Sequence, residues 1–263
     1  MTTLHVDDFG RASTRPVVNA IGAHDLSFAL RHGFDDFLAM PTHALFIGLI
    51  YPLIGIVLAT FAFGTAVLPL LFPLAAGFAL IGPFAAVGLY ELSRRRAQGL
   101  ATDWAPAFAS LTRPAAGALA GIGLLLAVIF ACWLVAAQGL YWAIYGDAMP
   151  DSVLGFVQDV LTTPRGWALI VTGNLVGFAF SIVVLALSVV SVPMLVDRDV
   201  DALTAIETSL AAFRRNPRTL LAWGAVVAGL LILGSLPLFV GLAVVMPILG
   251  HATWHLYRRV VPA

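Results

Sequence analysis

From Ala115 to Tyr145 the chain carries no charged residue. This run limits the fold more than any other feature. A helix rises 1.5 Å per residue, so about 20 apolar residues cross a hydrocarbon core about 30 Å thick. The stretch 115–145 is long enough to span a bilayer and to tilt or protrude. Lipid offers no partner to a backbone N–H or C=O, so such a run must close its own hydrogen bonds as a helix. Comparable runs occupy 42–63, 65–92 and 164–196, and residues 218–257 read as a tight hairpin turning at Gly234, Ser235, Leu236 and Pro237. Only 11% of the residues are charged and 60% are hydrophobic. A soluble chain carries about 25% charged residues, because much of its surface faces water. The expected fold is an all-α polytopic membrane protein with six transmembrane helices in three hairpins.

Half-polar segments separate the hairpins. In 24–40, Leu26, Leu30, Phe34 (or Gly33) and Phe37 recur at helical spacing, with Asp25 or Ser27 placed to cap the helix. Residues 101–112 repeat the pattern with Trp104, Phe108 and Leu111. A third segment follows Asp197, with Val200, Leu203, Ile206, Leu210 and Phe213 on one side. Thr204 with Glu207 fits a capping box there, and Asp199 or Asp201 would cap equally well. Such helices lie in the membrane interface. Val153, Phe156, Val157 and Val160 allow a further short surface helix between spans three and four. Prolines shape the spans: Pro69, Pro73 and Pro83 kink or break the second, and Pro193 interrupts the fourth late.

All 14 basic residues are arginine, which points to a GC-rich bacterial genome. With the N-terminus inside, Arg165 alone falls outside, and the others fall on the cytosolic side. That split is the positive-inside pattern. It places the chain in the bacterial inner membrane with both termini cytoplasmic. No apolar stretch follows a charged start, so 1–22 reads as a mobile cytosolic tail and not as a signal peptide. The net charge is zero, which gives no electrostatic case for nucleic acid. The single cysteine, Cys132, lies in an apolar run and reads as a packing residue.

The two ends of the chain repeat each other. Shifted by 176, Asp25, Ala29, Leu30, Phe34, Phe37 and Pro41 fall on Asp201, Ala205, Ile206, Leu210, Phe213 and Pro217. Shifted by 164, Pro83 and Arg94 fall on Pro247 and Arg258. Residues 23–263 are therefore one membrane domain, with 23–96 and 197–263 as parallel copies and 97–196 as a central hairpin.

Certain runs resemble a known family. They are 193–201 (PMLVDRDVD), Asn216 with Pro217, 247–258 (PILGHATWHLYR), 79–83 (ALIGP) and 88–95 (GLYELSRR). Together they resemble the bacterial integral membrane proteins catalogued as domain of unknown function 2189, over about 23–261. The resemblance implies a six-span inner-membrane protein. Some members carry an automatic cytochrome c oxidase label, and no established activity comes with the family.

Chemistry has few footholds. His251 and His255 lie one turn apart on one helix face. His43, Asp197 and Glu91 reach the same side, and Glu91 aligns with His255 in the repeat. His251, His255 and Glu91 are the candidate metal ligands, and the two histidines could also hold an iron porphyrin. The bland reading is that they bond to headgroups, helix ends or one another, so no cofactor is expected. An oxidase core needs histidines deep in the membrane, and all six here lie at or below the cytosolic interface. No span carries a charge near its centre, which argues against proton-driven pumping. Glycines Gly117 and Gly121, and Gly173 and Gly177, predict that spans three and four pack together or form a dimer face.

The leading expectation is a non-enzymatic scaffold, assembly or accessory subunit. It would sit in the bilayer, with a respiratory or other membrane complex, or a second copy, as partner. The alternatives are a channel or transporter for a small neutral solute, and a metal- or haem-binding membrane protein.

Overall fold

The computed structural model describes residues 16–40, 55, 70, 72–74, 82–102, 116–147, 152–237 and 240–262. The expected first span with His43, most of the second, and the half-polar segment from 103 onward lie outside these residues. Among the described residues every regular element is helical. In chain order they are α1 (Ala23–Ala39), α2 (Gly82–Ala85), α3 (Val87–Ala97), α4 (Ala116–Tyr145), α5 (Val153–Thr162), α6 (Pro164–Ser188), α7 (Ser191–Asp197), α8 (Ala202–Arg215), α9 (Pro217–Ser235) and α10 (Leu242–Val260).

Three stretches among the described residues are long and apolar enough to cross a membrane: α4, α6 continued through α7, and α9. Their outer surfaces carry large, exposed apolar side chains. Leu124, Val128 and Val135 stand out on α4, Val171, Leu175 and Phe178 on α6, and Ile232 and Leu233 on α9. Lipid suits such faces. The expected sixth span, α10, is outside that set. Its C-terminal half carries His251, His255, Arg258 and Arg259, and it is the most protein-covered of the long helices. The turn after α9 falls where expected, at Leu236 and Pro237.

The expected third and fourth spans pack together, as α4 against α6, but of the four small residues Gly177 alone lies in the contact. Leu119, Ile122, Leu126 and Trp133 form the buried stripe of α4. Trp133 lies 3.1 Å from where a Cβ on Gly177 would stand, and its ring sits 5.7 Å from that of Phe180. Gly117, Gly121 and Gly173 have open space beside them. Four-residue spacing marks a face but not which face meets a neighbour.

The break in the fourth span comes at Val189 and Val190, just before Pro193 rather than at it. Proline lacks the N–H that would bond to the carbonyl four residues back, and its ring clashes with that carbonyl. Here that carbonyl belongs to Val189. The broken turn is repaired from α8: Ser209 Oγ donates to Ala186 O at 2.8 Å and accepts from Val190 N at 3.3 Å. Restarting as α7 buries Ser191 through Val196 completely.

The half-polar helices α1 and α8 form as expected, and Asp201 proves to be the cap of α8, accepting from Thr204 N at 2.8 Å. Asp25 sits in the first turn of α1 and accepts from Gly22 N at 2.9 Å. The inward face of α1 follows the stripe read in the sequence at Leu26, Leu30, Gly33 and Phe37, with Phe34 turned out and Ala29 and Asp36 added. Leu26, Ala29, Gly33 and Asp36 are buried, while Phe34 and Leu38 are exposed. Close approach decides this. A Cβ on Gly33 would stand 2.6 Å from Ala252 N, so α1 and α10 meet backbone to backbone there. On its other side α10 meets α3 equally closely, with Leu89 2.5 Å from where a Gly250 Cβ would be. Helix α10 is thus clamped between α1 and α3.

The segment expected to be a mobile tail ends in a docked strap. Asn19 N donates to Val260 O at 2.8 Å, and Ile21 N to Asn216 Oδ1 at 2.9 Å. Asn216 Nδ2 returns a bond to Asn19 O at 2.9 Å. Asn216 is buried at the α8–α9 corner, so this one side chain ties the N-terminal strap to the start of α9.

Candidate functional site

The clamp on α10 brings chemistry-bearing side chains from three helices to one carboxylate. Asp36 arrives from α1, Ser93 and Arg96 from α3, and His251 and His255 from α10. Asp36, Ser93 and His251 are buried. Asp36 Oδ2 accepts from Ser93 Oγ at 2.6 Å and lies 2.9 Å from His255 Nε2. Its Oδ1 accepts from the Arg96 guanidinium. The His251 ring approaches through Ser93, with Nδ1 at 2.7 Å from Oγ and 4.0 Å from Asp36 Oδ2. The His32 ring lies beside His255, 5.4 Å between centroids.

Burial by itself would raise the Asp36 pKa. Hydrogen bonds from His255, Ser93 and Arg96, with the His255 charge, outweigh it and hold the carboxyl at about 2, below the ordinary 3.8. Asp36 is therefore an ionised acceptor, which fixes the protons around it. Ser93 has one O–H, and at 2.6 Å it must donate it to the carboxylate. The short contact from Ser93 to His251 then requires the ring to donate, so Nδ1 bears the hydrogen. Nε2 of His251 is fully buried and has no hydrogen-bond partner. The chain of donors reads His251 to Ser93 to Asp36, with His255 and Arg96 closing the set.

A second carboxylate stands on the other side of α10. Asp197, at the end of α7, accepts from Tyr257 Oη at 2.9 Å and from Arg258 at 2.7 Å. Arg198 donates back to Tyr257 Oη at 3.2 Å. Glu91 on α3 is fully buried and grips Arg94 through both oxygens, at 2.7 and 2.8 Å.

Of the three candidate ligands, the structure brings His251 and His255 to a common carboxylate, but that carboxylate is Asp36. Glu91 is engaged by Arg94. Among the described residues no three or more His, Cys, Asp or Glu side chains are arranged to hold a metal ion. Asp36, Ser93 and Arg96 escaped the sequence reading. Asp36 sits in an otherwise polar pair, Asp35-Asp36, that looks solvated. The available signal was its spacing from Leu26, Ala29 and Gly33, which places it on the same face of the helix.

The polar side chains inside the spans turn back on their own helix. Thr172, Asn174 and Ser181 each donate to the carbonyl four residues earlier, at 2.7, 2.7 and 2.9 Å. Such bonds satisfy the side chain locally.

Comparison with known proteins agrees with this architecture. Residues 71–197 match the family model described as Predicted integral membrane protein (DUF2189). The matched stretch takes in 79–83, 88–95 and the Pro193-to-Asp197 run, and stops short of the histidine-bearing α10. No curated protein and no solved structure matches the chain. The family match and the three apolar helices make it an integral membrane protein, with the lipid bilayer as its surroundings.

Proposed function

We propose that the protein is a non-enzymatic scaffold or accessory subunit of the bacterial inner membrane. In this reading it has six spans and both termini in the cytoplasm, and it presents its half-polar helices at the cytosolic leaflet. The observation that carries the reading is the way charge is used at the arginine-rich end. Asp36, Glu91 and Asp197 each hold donors on their own or neighbouring helices, so these charges brace the helices. Meanwhile Phe34 and Leu38 on α1 and Leu203 on α8 face outward. Locked helices with apolar residues outside suit a surface that another membrane subunit or the leaflet can cover.

The duplication belongs to the same proposal. At the shift of 176, buried Ala29, Gly33 and Asp36 fall on buried Ala205, Ser209 and Ala212. Residues 23–96 and 197–263 would then be parallel copies flanking 97–196, with 1–22 leading into the first. Affinity purification from native membranes in mild detergent tests the function. A stoichiometric partner complex, weakened when Phe34 and Leu38 are changed to serine, is the expected result. Absence of any partner, together with passage of small neutral solutes into liposomes holding the purified protein, would overturn it.

A further inference from the structure

Helix α5 sits at the end of α4 remote from α8, about 45 Å away along a 30-residue helix. It is held rigidly. Asp159 accepts from Tyr145 Oη at 2.7 Å and from Arg165 at 2.7 Å, and the Arg165 guanidinium stacks 4.9 Å from the Tyr145 ring. Phe156 packs against the rings of Tyr141 and Tyr145, both at 6.2 Å. The corner into α6 is so tight that a Cβ on Gly166 would stand 2.3 Å from Val160 O. With Phe156, Asp159 and Val160 turned inward, the rest of the helix has no choice of face. Leu154, Val157 and Leu161 are forced out, at 77%, 46% and 56% exposure. At 100° per residue they lie within about 60° of one another, beside the exposed polar flank of Gln158 and Thr162.

Two tryptophans give the depth. Trp142 and Trp167 are both exposed, each three residues inside the end of its helix, on α4 and α6. Tryptophan gathers where hydrocarbon meets water. The apolar flank of α5 therefore continues the lipid-facing surfaces of α4 and α6 at the level of this belt. We propose that α5 is an interfacial helix that seats Leu154, Val157 and Leu161 in the lipid leaflet at this end of the bundle. Its polar flank faces water. The Asp159–Arg165 pair fixes the angle of entry, and the Trp167 indole, bonded to Leu161 O at 3.0 Å, marks the boundary.

The inference rests on α4 and α6 spanning the bilayer, and the test separates the two. The full chain with Cys132→Ser is reconstituted in phosphatidylcholine–phosphatidylglycerol vesicles. Single cysteines are introduced as Leu154→Cys, Val157→Cys, Leu161→Cys and Gln158→Cys, with Val135→Cys on α4 as the control, and labelled with nitroxide. Collision with oxygen should exceed collision with a water-soluble nickel chelate several-fold at 154, 157 and 161, and the ratio should reverse at 158. Labels at 154, 157 and 161 that meet the chelate as freely as 158, with 135 still in lipid, overturn the interfacial seat alone. Labels there that meet neither reagent place the flank against protein and also overturn it. A chelate-accessible label at 135 overturns the spanning reading, and the seat with it.

Discussion

Helices α1 and α8 turn residues 176 apart in the chain inward and are anchored by different chemistry. Where α1 buries Gly33 and Asp36, α8 buries Ser209 and Ala212. The glycine lets α1 touch the backbone of α10, and the carboxylate collects donors from α3 and α10. The serine of α8 instead repairs the backbone break ahead of Pro193, and the alanine only fills space. One half-polar helix is thus tied into a charged network, while the other is held by apolar contact and one hydroxyl. A common register fixes which face packs. The residues on that face decide whether docking depends on charge.

This contrast can be broken most severely at Asp36. Asp36→Ala should lower stability by about 3 kcal/mol, because it leaves the Arg96 charge, the buried Ser93 hydroxyl and the half-buried His255 ring without their acceptor. Thermal unfolding in detergent measures it, and Ala212→Ser in α8 should do far less. Acid reaches the same group. Its folded pKa of about 2 lies below the ordinary 3.8, so its stabilising contribution is present above about pH 4 and is lost as the pH falls toward 2. The unfolding midpoint should drop over that window in the parent protein and drop less in Asp36→Asn.

Gly33→Val comes next. The added atoms meet the backbone of Ala252, which cannot swing aside, so a loss of about 2 kcal/mol is expected. The equivalent change in α8, Ser209→Ala, removes a hydroxyl that bridges Ala186 O and Val190 N. It should cost about 1–2 kcal/mol, and the loss should appear as faster amide exchange at Val190. A larger loss from Ser209→Ala than from Asp36→Ala would reverse the ranking of the two anchors.

The sequence made the membrane-spanning character legible because apolar run length maps directly onto bilayer thickness. The α4 span follows from that length, and the turn near Gly234, the break near Pro193 and Asp201 as a cap candidate follow from single-residue backbone chemistry. The inward face of α1 followed in part: Leu26, Leu30, Gly33 and Phe37 turn to the core, but the burial of Asp36 was not legible. Hydrophobic periodicity weighs burial of large side chains and passes over a paired carboxylate. The partner of the two histidines was hidden for the same reason. Glu91 shares their end of the bundle, but Arg94, one turn later on its own helix, claims it first, and Asp36 reaches them from 215 residues away (251 − 36). Side-chain pairing across that distance depends on how α1 docks, which no local pattern encodes.

Hydrogen exchange of the full chain in lipid nanodiscs, parent against Asp36→Asn, tests the central claim most directly. If Asp36 is the tie that holds α1 to α3 and α10, amides of Ala23–Ala39 should exchange faster in the variant while those of Ala202–Arg215 stay as they were. Unchanged protection of α1, or equal loss in both helices, would contradict it.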